Sequence, residues 1–331
     1  MPDIICMGEM LIDFVAAEKG YSIGDAPGFI PVPGGAPANV AVGAALLGGS
    51  AGFVGKVGDD PFGRKLARVL ESYGVNTNGV SFSRTARTML AFVSLTKEGD
   101  RDFIFYRHPS ADMLIVPEDV PDGYLKNTRC FHFGSISLIG EPSRSTTLTL
   151  VEKARERGAL ISFDPNIRMS LWPDEDTARK EIMQAIPLAH VIKLSREEAE
   201  LIAREPDPKR AGRIIEMMGP GLVAVTLAEK GCTVVTARYG VEVAGHAMTV
   251  QDTTGAGDAF TAAMLVKLTE MGGDILLNPG MLGDLELIQI FQFANAAGAL
   301  TTTATGAIPA LPRREQVEAF LQMERSRAPL Q

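Results

Sequence analysis

At 331 residues the chain has room for one large α/β domain with an appendage, or for two modest domains. Its 46% hydrophobic and 22% charged residues are the proportions of a globular protein with a sizeable buried core. A net charge of −8 argues against nucleic acid and anionic membrane surfaces as partners, while leaving room for a nucleotide held by local amides and a few cations.

Cys6, Cys130 and Cys232 are widely spaced beside apolar neighbours. They read as buried thiols in a reducing compartment, not as a disulfide set or zinc site. No basic region precedes the first apolar strand, so no secretory signal is read and the expected location is cytoplasmic. The uncharged runs at 40–55 and 287–311 are glycine-rich or broken by polar residues; they read as buried helices at a binding site, not membrane spans.

Residues 4–13 open with a short apolar run ending in glycine and acidic residues, the pattern of a central buried strand. A dinucleotide-binding fold would follow it with Gly-x-Gly-x-x-Gly. Here a single Gly8 leads into Glu9-Met10-Leu11, which argues against a dehydrogenase. Residues 14–33, punctuated by Gly20, Gly24, Pro27, Gly28, Pro31 and Pro33, read as a short-strand excursion. Pro33-Gly34-Gly35-Ala36-Pro37-Ala38-Asn39 then enters a helix, with Pro37 suited to its first turn. That helix is apolar nearly all round and should be deeply buried. Asn39 is its polar exception: a helix cap, or a group for sugar hydroxyls beside two glycines whose amides approach a ligand.

Residues 51–57 form a further strand, and an amphipathic helix follows Gly58-Asp59-Asp60-Pro61-Phe62-Gly63 to about Tyr73. Residues 88–95 and 102–106 flank Lys97-Glu98-Gly99-Asp100 as a β-hairpin. With 14–33 this hairpin makes a small sheet, a lid over a site or a surface that pairs with another subunit. The expected division is a core of 1–13, 34–79 and 111–331, and a lid of 14–33 and 80–110.

From about residue 128 strands at 129–134, 160–164, 191–194 and 222–226 alternate with helices at 143–157, 176–186 and two more before 222. This rhythm implies a mostly parallel sheet covered by helices on both faces. Ligands bind such sheets at the carboxyl ends of the strands, where Asp13, Asp164, Asn166, Lys193, Ser195, Thr226 and Asp252 fall. The four histidines have no metal-ligand spacing. Residues 323–331 read as a frayed tail.

Most of the chemistry lies in Val250-Gln251-Asp252-Thr253-Thr254-Gly255-Ala256-Gly257-Asp258-Ala259-Phe260. Gly255 and Gly257 let main-chain amides converge, and the helix they open adds unpaired N–H groups and the positive end of its dipole. Asp258 at an anion site either complements that dipole, worth about 0.3–1 kcal/mol, or takes a proton from an attacking hydroxyl. The second reading makes the reaction phosphoryl transfer. Arg168, after Asp164-Pro165-Asn166-Ile167, is a fixed positive fork for phosphate or carboxylate. The acidic residues opening a helix at Glu197, Glu198 and Glu200 fit simple dipole matching. No Walker-type loop and no protein-kinase His-Arg-Asp set occurs.

The string from Asp252 to Phe260 resembles the signature of the PfkB-type, or ribokinase-like, carbohydrate kinases. Further similar segments are Gly8-Glu9, Pro33 to Ala41, Gly55 to Gly63 and Asp164 to Arg168, so the resemblance covers nearly the whole chain. Within the family, residues 105–114 and 305–312 are similar to fructokinases. The resemblance implies ATP-dependent phosphorylation of the terminal (C6) hydroxyl of fructose. Asp258 would be the base, the amides of Gly255, Ala256 and Gly257 the anion hole, and Arg168 a neutralising charge. It implies sugar contacts at Asp13, Gly34, Gly35, Asn39, Arg107 and Asn166, and ATP contacts at Lys193, Ser195, Thr226, Gly231, Asn295 and Gly298. Glu198 would hold Mg²⁺ through water, and Asp252 and Thr254 would serve a monovalent cation, potassium. The family's Asn-x-x-Glu appears here with Ser195 for the asparagine, and Ala228 replaces a usual glycine. A homodimer through the lid is expected. Rivals are a 2-keto-3-deoxygluconate kinase, whose acid Arg107 or Arg168 could pair, a ribose or nucleoside kinase, and a sugar-responsive regulator on a kinase scaffold.

Overall fold

The computed structural model describes residues 1–95 and 101–327; the expected hairpin turn at Lys97-Glu98-Gly99-Asp100 and the last four residues of the chain lie outside the described residues. The first strand, β1 (Ile4–Met7), is wholly buried and sits inside a nine-stranded sheet. The chain then leaves for β2 (Leu11–Ala16) and β3 (Phe29–Gly34) of a separate four-stranded sheet and returns through α1 (Ala36–Leu46) to β4 (Ala51–Gly58), α2 (Pro61–Ser72) and β5 (Asn76–Ser83). A second excursion, β6 (Leu90–Leu95) and β7 (Arg101–Tyr106), completes the small sheet in the order β3-β2-β6-β7. Next come β8 (Cys130–Gly134), α3 (Ser143–Glu156), β9 (Leu160–Asp164), α4 (Glu175–Ala185), β10 (Val191–Ser195), α5 (Arg196–Ala203), α6 (Pro208–Glu216), β11 (Leu222–Thr226), β12 (Gly231–Thr236) and β13 (Gly240–Ala244). The helices α7 (Ala256–Met271), α8 (Gly273–Leu277), α9 (Asp284–Thr301) and α10 (Arg314–Arg327) close the described chain.

The large sheet runs β13-β12-β11-β10-β9-β8-β1-β4-β5, parallel throughout except for the antiparallel pairs β11–β12 and β12–β13. One apolar layer packs α1, α2, α7 and α9 against it, and a second packs α3 to α6 on the opposite face. The expected α/β architecture with helices on both faces and an added small sheet is therefore observed. The chain reverses direction across the sheet between β1 and β8, and such a switch point opens a crevice at the carboxyl ends of the strands.

Two differences from the expected division follow from the strand pairing. Residues 80–83 belong to β5 and pair with β4 (Val57↔Phe82) in the large sheet. Residues 11–13 and Gly34 belong to the small one (Leu11↔Gly34). β5 begins Asn76-Thr77-Asn78-Gly79, a polar, glycine-containing start to an edge strand whose apolar residues, Val80 and Phe82, come only after it.

The small sheet is tied to the core by one carboxylate. Asp60 caps α2, accepting from the Phe62 and Gly63 amides at 3.0 and 2.9 Å, and also accepts from the Thr88 hydroxyl and amide, both at 2.9 Å, just ahead of β6. The two central helices touch through small residues. A Cβ on Gly43 of α1 would lie 2.8 Å from the Ala262 Cβ of α7, so glycine permits their close approach.

Candidate active site

The loop before α7 is braced from inside. Asp252 Oδ1 accepts from the Thr254 amide at 2.9 Å and the Thr254 hydroxyl at 2.7 Å, and its Oδ2 accepts from the Gly306 amide at 2.9 Å. Gly255 has φ +82°, and a Cβ there would press 3.0 Å from the Ala307 Cα, so both conformation and space require glycine. No side chain caps α7. The Ala256 amide donates to the Thr253 carbonyl at 3.3 Å, and no side chain fills the rest of that open turn, where an outside acceptor can bind.

Asp258, in the first turn of α7, is half-buried. Asn39 of α1 donates from Nδ2 to its Oδ2 at 2.8 Å, while the buried Asn39 Oδ1 has no partner among the described residues. Asn39 is thus not the helix cap, a place that Gly35 holds. Asn39 orients the Asp258 carboxylate and leaves a buried acceptor without a partner among the described residues. Burial raises the Asp258 pKa to about 6, assisted by the Asp164 charge and opposed by the Asn39 hydrogen bond, Lys193 and Arg168. Asp13 is also raised to about 6 by burial and by Asp258, with Arg168 opposing. Arg168, half-buried and with its neighbour's carbonyl as its hydrogen-bond partner among the described residues, acts on both carboxylates and helps to keep them charged.

Gly34 and Gly35 line the crevice for steric reasons. A Cβ on Gly34 would fall 2.2 Å from Asp13 Oδ2, and one on Gly35 (φ +110°) 2.5 Å from the Glu9 carbonyl oxygen. Glu9 itself is buried and accepts from the Ala36 amide at 3.1 Å, taking the place of the side-chain cap that Gly35 cannot supply. Burial raises its pKa to about 7. Asn166 holds a left-handed φ of +43°, with its amide donating to Asp164 Oδ1 at 3.2 Å, so the Asp-Pro-Asn turn folds over the end of β9.

Across the crevice floor, Lys193 is buried, donates to Asp164 Oδ2 at 3.1 Å, and lies 3.0 Å from where a Cβ on Gly257 would be. Ser195 and Glu198 form a reciprocal cap on α5. Glu198 also accepts from the Ile167 amide at 2.6 Å and from the Ser195 amide at 2.8 Å. Serine thus replaces asparagine without loss of the cap, and Glu198 joins the loop carrying Arg168 to the loop after β10. The Thr226 hydroxyl donates to the Leu194 carbonyl at 3.2 Å.

Gly231, at φ +99°, sits where a Cβ would be 2.1 Å from the Val243 carbonyl, and Asn295 donates to the Val243 and Ala244 carbonyls, both at 3.1 Å. These two residues build the β12–β13 wall. Gly298 lets α9 approach the Ala256 carbonyl to 3.1 Å, measured from a would-be Cβ. Arg107 differs from its expected role as a sugar ligand in having its guanidinium committed elsewhere. It is buried, paired with Asp112 at 2.9 Å and bonded to the Ile136 carbonyl at 3.0 Å.

Among the described residues no three acidic, histidine or cysteine side chains cluster as a metal cage. The donors present fit a magnesium ion carried chiefly by nucleotide phosphates, with a carboxylate such as Glu198 acting through water. The sequence assigns no contact to Glu9 and does not mark Thr261 at all. Thr261 donates to Asp164 Oδ2 at 3.2 Å from one turn into α7. A chain-order reading cannot pair residues 97 positions apart.

A helix N-terminus without a side-chain cap and an oriented carboxylate, brought together at a strand switch point, fit a phosphotransferase acting on a small hydroxyl compound. The chain belongs to the pfkB family of carbohydrate kinases, whose model matches residues 1–314. Probable fructokinase-6, chloroplastic, of Arabidopsis thaliana is 46% identical over 322 residues, 97% of this chain and 82% of that protein. The structure of a fructokinase with bound ATP from Xylella fastidiosa superposes with TM-score 0.90 at 34% identity, covering 98% of this chain and 100% of that one. A Vibrio cholerae fructokinase double mutant in fructose, ADP and potassium ion bound form gives TM-score 0.86 at 34% identity, over 97% of this chain and 98% of that one.

Proposed function

We propose that the chain is an ATP-dependent fructokinase that transfers the γ-phosphoryl group of ATP to the C6 hydroxyl of D-fructose, giving fructose 6-phosphate and ADP. One observation carries the chemistry: Asp258 lies at the uncapped first turn of α7 with Asn39 holding its Oδ2 at 2.8 Å. The choice of fructose rests on the fructokinases that resemble the chain over almost its entire length.

In this reading the fructose hydroxyl lies against Asp258, with Asn39 Oδ1, Asp13, Asn166 and the Gly34-Gly35 amides receiving the remaining hydroxyls. The hydroxyl oxygen forms a bond to the γ-phosphorus as the bond to the departing ADP oxygen breaks, and its proton passes to Asp258. The amides of Gly255, Ala256 and Gly257 meet the charge on the transferring oxygens, and Lys193 and Arg168 offset what remains. Glu198, Ser195 and Thr226 shape the phosphate side, while Gly231, Asn295 and Gly298 form the nucleotide wall. Mg²⁺, bound with the nucleotide, supplies further neutralisation of the phosphates. The loop braced by Asp252 and Thr254 is the expected place for potassium, the ion named in the Vibrio cholerae structure. Soluble action in the cytoplasm and a homodimer joined through the small sheet complete the reading. Consistently, no helix among the described residues is long and apolar enough to cross a membrane.

Sugar-dependent ADP release is the test, with fructose, 2-keto-3-deoxygluconate, ribose and adenosine compared at equal concentration. Fructose should give the highest kcat/KM, and potassium should increase it over sodium. A higher value for any of the other three would reassign the substrate. Tight fructose binding with no turnover would make the protein a regulator.

A further inference from the structure

One buried ion pair lies beneath the site, and of its two members the mechanism above uses Lys193 alone. Asp164 ends β9, and Lys193 lies on β10, which runs parallel beside it (Ile192↔Phe163). Both side chains are almost fully buried. The carboxylate collects donors from three elements: the Asn166 amide of its own turn at 3.2 Å, the Lys193 ammonium at 3.1 Å and the Thr261 hydroxyl of α7 at 3.2 Å.

The geometry points to Asp164 as a positioning residue, which fixes the Lys193 ammonium against the first turn of α7 and, together with it, sets the charge balance around Asp258. The inference rests on the phosphoryl-transfer reading. Lys193 has three N–H donors, and its ammonium stands 3.0 Å from the Cβ position of Gly257, so a side chain there would meet it. A flexible lysine would sample many rotamers; anchored by Asp164, which Thr261 in turn ties to α7, it holds one position relative to the open amides. Buried pairs of this kind are often replaceable by apolar residues without loss of stability. A role in the site accounts for this one at the strand ends.

The charged groups around Asp258 act in opposite directions. Asp164 and Asp13 favour its protonated form, while Lys193 and Arg168 favour the carboxylate. Burial disfavours the ammonium of Lys193, but Asp164, Glu198 and Asp258 outweigh it and raise its pKa. His132 faces the same interior, bonded to Ser162 at 3.0 Å, and is neutral because burial lowers its pKa to about 4.

The test compares Asp164→Asn, Lys193→Met and the double variant with wild type. The readouts are the pH profile of fructose kcat/KM, ATP affinity and Tm. Asp164→Asn should move the acidic limb to lower pH, by about one pH unit, and Lys193→Met should move it upward. Each should lower kcat about tenfold or more, the scale of losing one charge-stabilising group. The double variant has no unpaired buried charge, so its Tm should return toward wild type while kcat stays low. Unmoved limbs in both single variants, or a double variant with wild-type kcat, would overturn the inference and leave the pair a structural staple. Absence of any sugar-dependent ADP release by the wild-type chain would instead overturn the function on which it rests.

Discussion

Asp258 carries its charge against the preference of its surroundings. An ordinary aspartate ionises near 3.8, whereas burial holds this one to about 6. A general base must be deprotonated to act, so kcat/KM for fructose should fall about tenfold per pH unit below roughly pH 6. A profile flat down to pH 5 would contradict that. The sign for stability follows from the same shift. The native state favours the protonated acid, a contribution that is complete below the unfolded pKa and lost as pH rises through about 6. At neutral pH the ionised group therefore costs about 1–3 kcal/mol. Asp258→Asn should then raise Tm by a few degrees, measured by calorimetry at pH 7.5, while lowering turnover by about 10² or more. Functional sites commonly trade stability in this way. The glycine-rich turn before Asp258 made its place in the first turn of a helix readable from sequence, because backbone requirements are local. Its partner Asn39 could be suspected but not assigned, since 219 positions separate the two.

At the scale of elements, the proposed catalysis requires two helices to be held at a fixed distance: α1 presents Asn39, and α7 presents Asp258 and its uncapped first turn. Gly43→Val would push a branched side chain into Ala262, already 2.8 Å from a bare Cβ. We expect a cost of about 1–3 kcal/mol from overpacking and a larger relative loss in kcat than in ATP affinity, seen by comparing turnover with calorimetric binding. Equal losses would place the effect in general stability. The run of small residues was legible as a buried helix, but its glycine could not be assigned to this contact without the partner helix. Legibility was poorer in the sheet. The buried parallel strands stand out as apolar runs, whereas β5 hides in Asn-Thr-Asn-Gly and the antiparallel β12–β13 edge lacks the helix that would have announced it.

For the whole molecule, the order of the strands brings Asp13, Asn39, Asp164, Lys193 and Asp258 together at one crevice from widely separated parts of the chain. Sequence order predicted this convergence only through the general rule for parallel sheets. It could not predict that Arg107, at the foot of the small sheet, would turn to Asp112 and Ile136. The small sheet leaves Ile30, Ile104 and Tyr106 exposed at 57, 46 and 62%, the surface through which a homodimer is proposed. Light scattering should give twice 35.4 kDa, reduced to one chain by Tyr106→Asp; a wild-type monomer would remove the proposal.

The most direct test of the central claim is the turnover of Asp258→Asn with saturating ATP and fructose. Fructose 6-phosphate formation should fall by about 10² or more, with ATP and fructose binding retained. Turnover near the wild-type value in a folded, substrate-binding variant would contradict the assignment of Asp258 as the base.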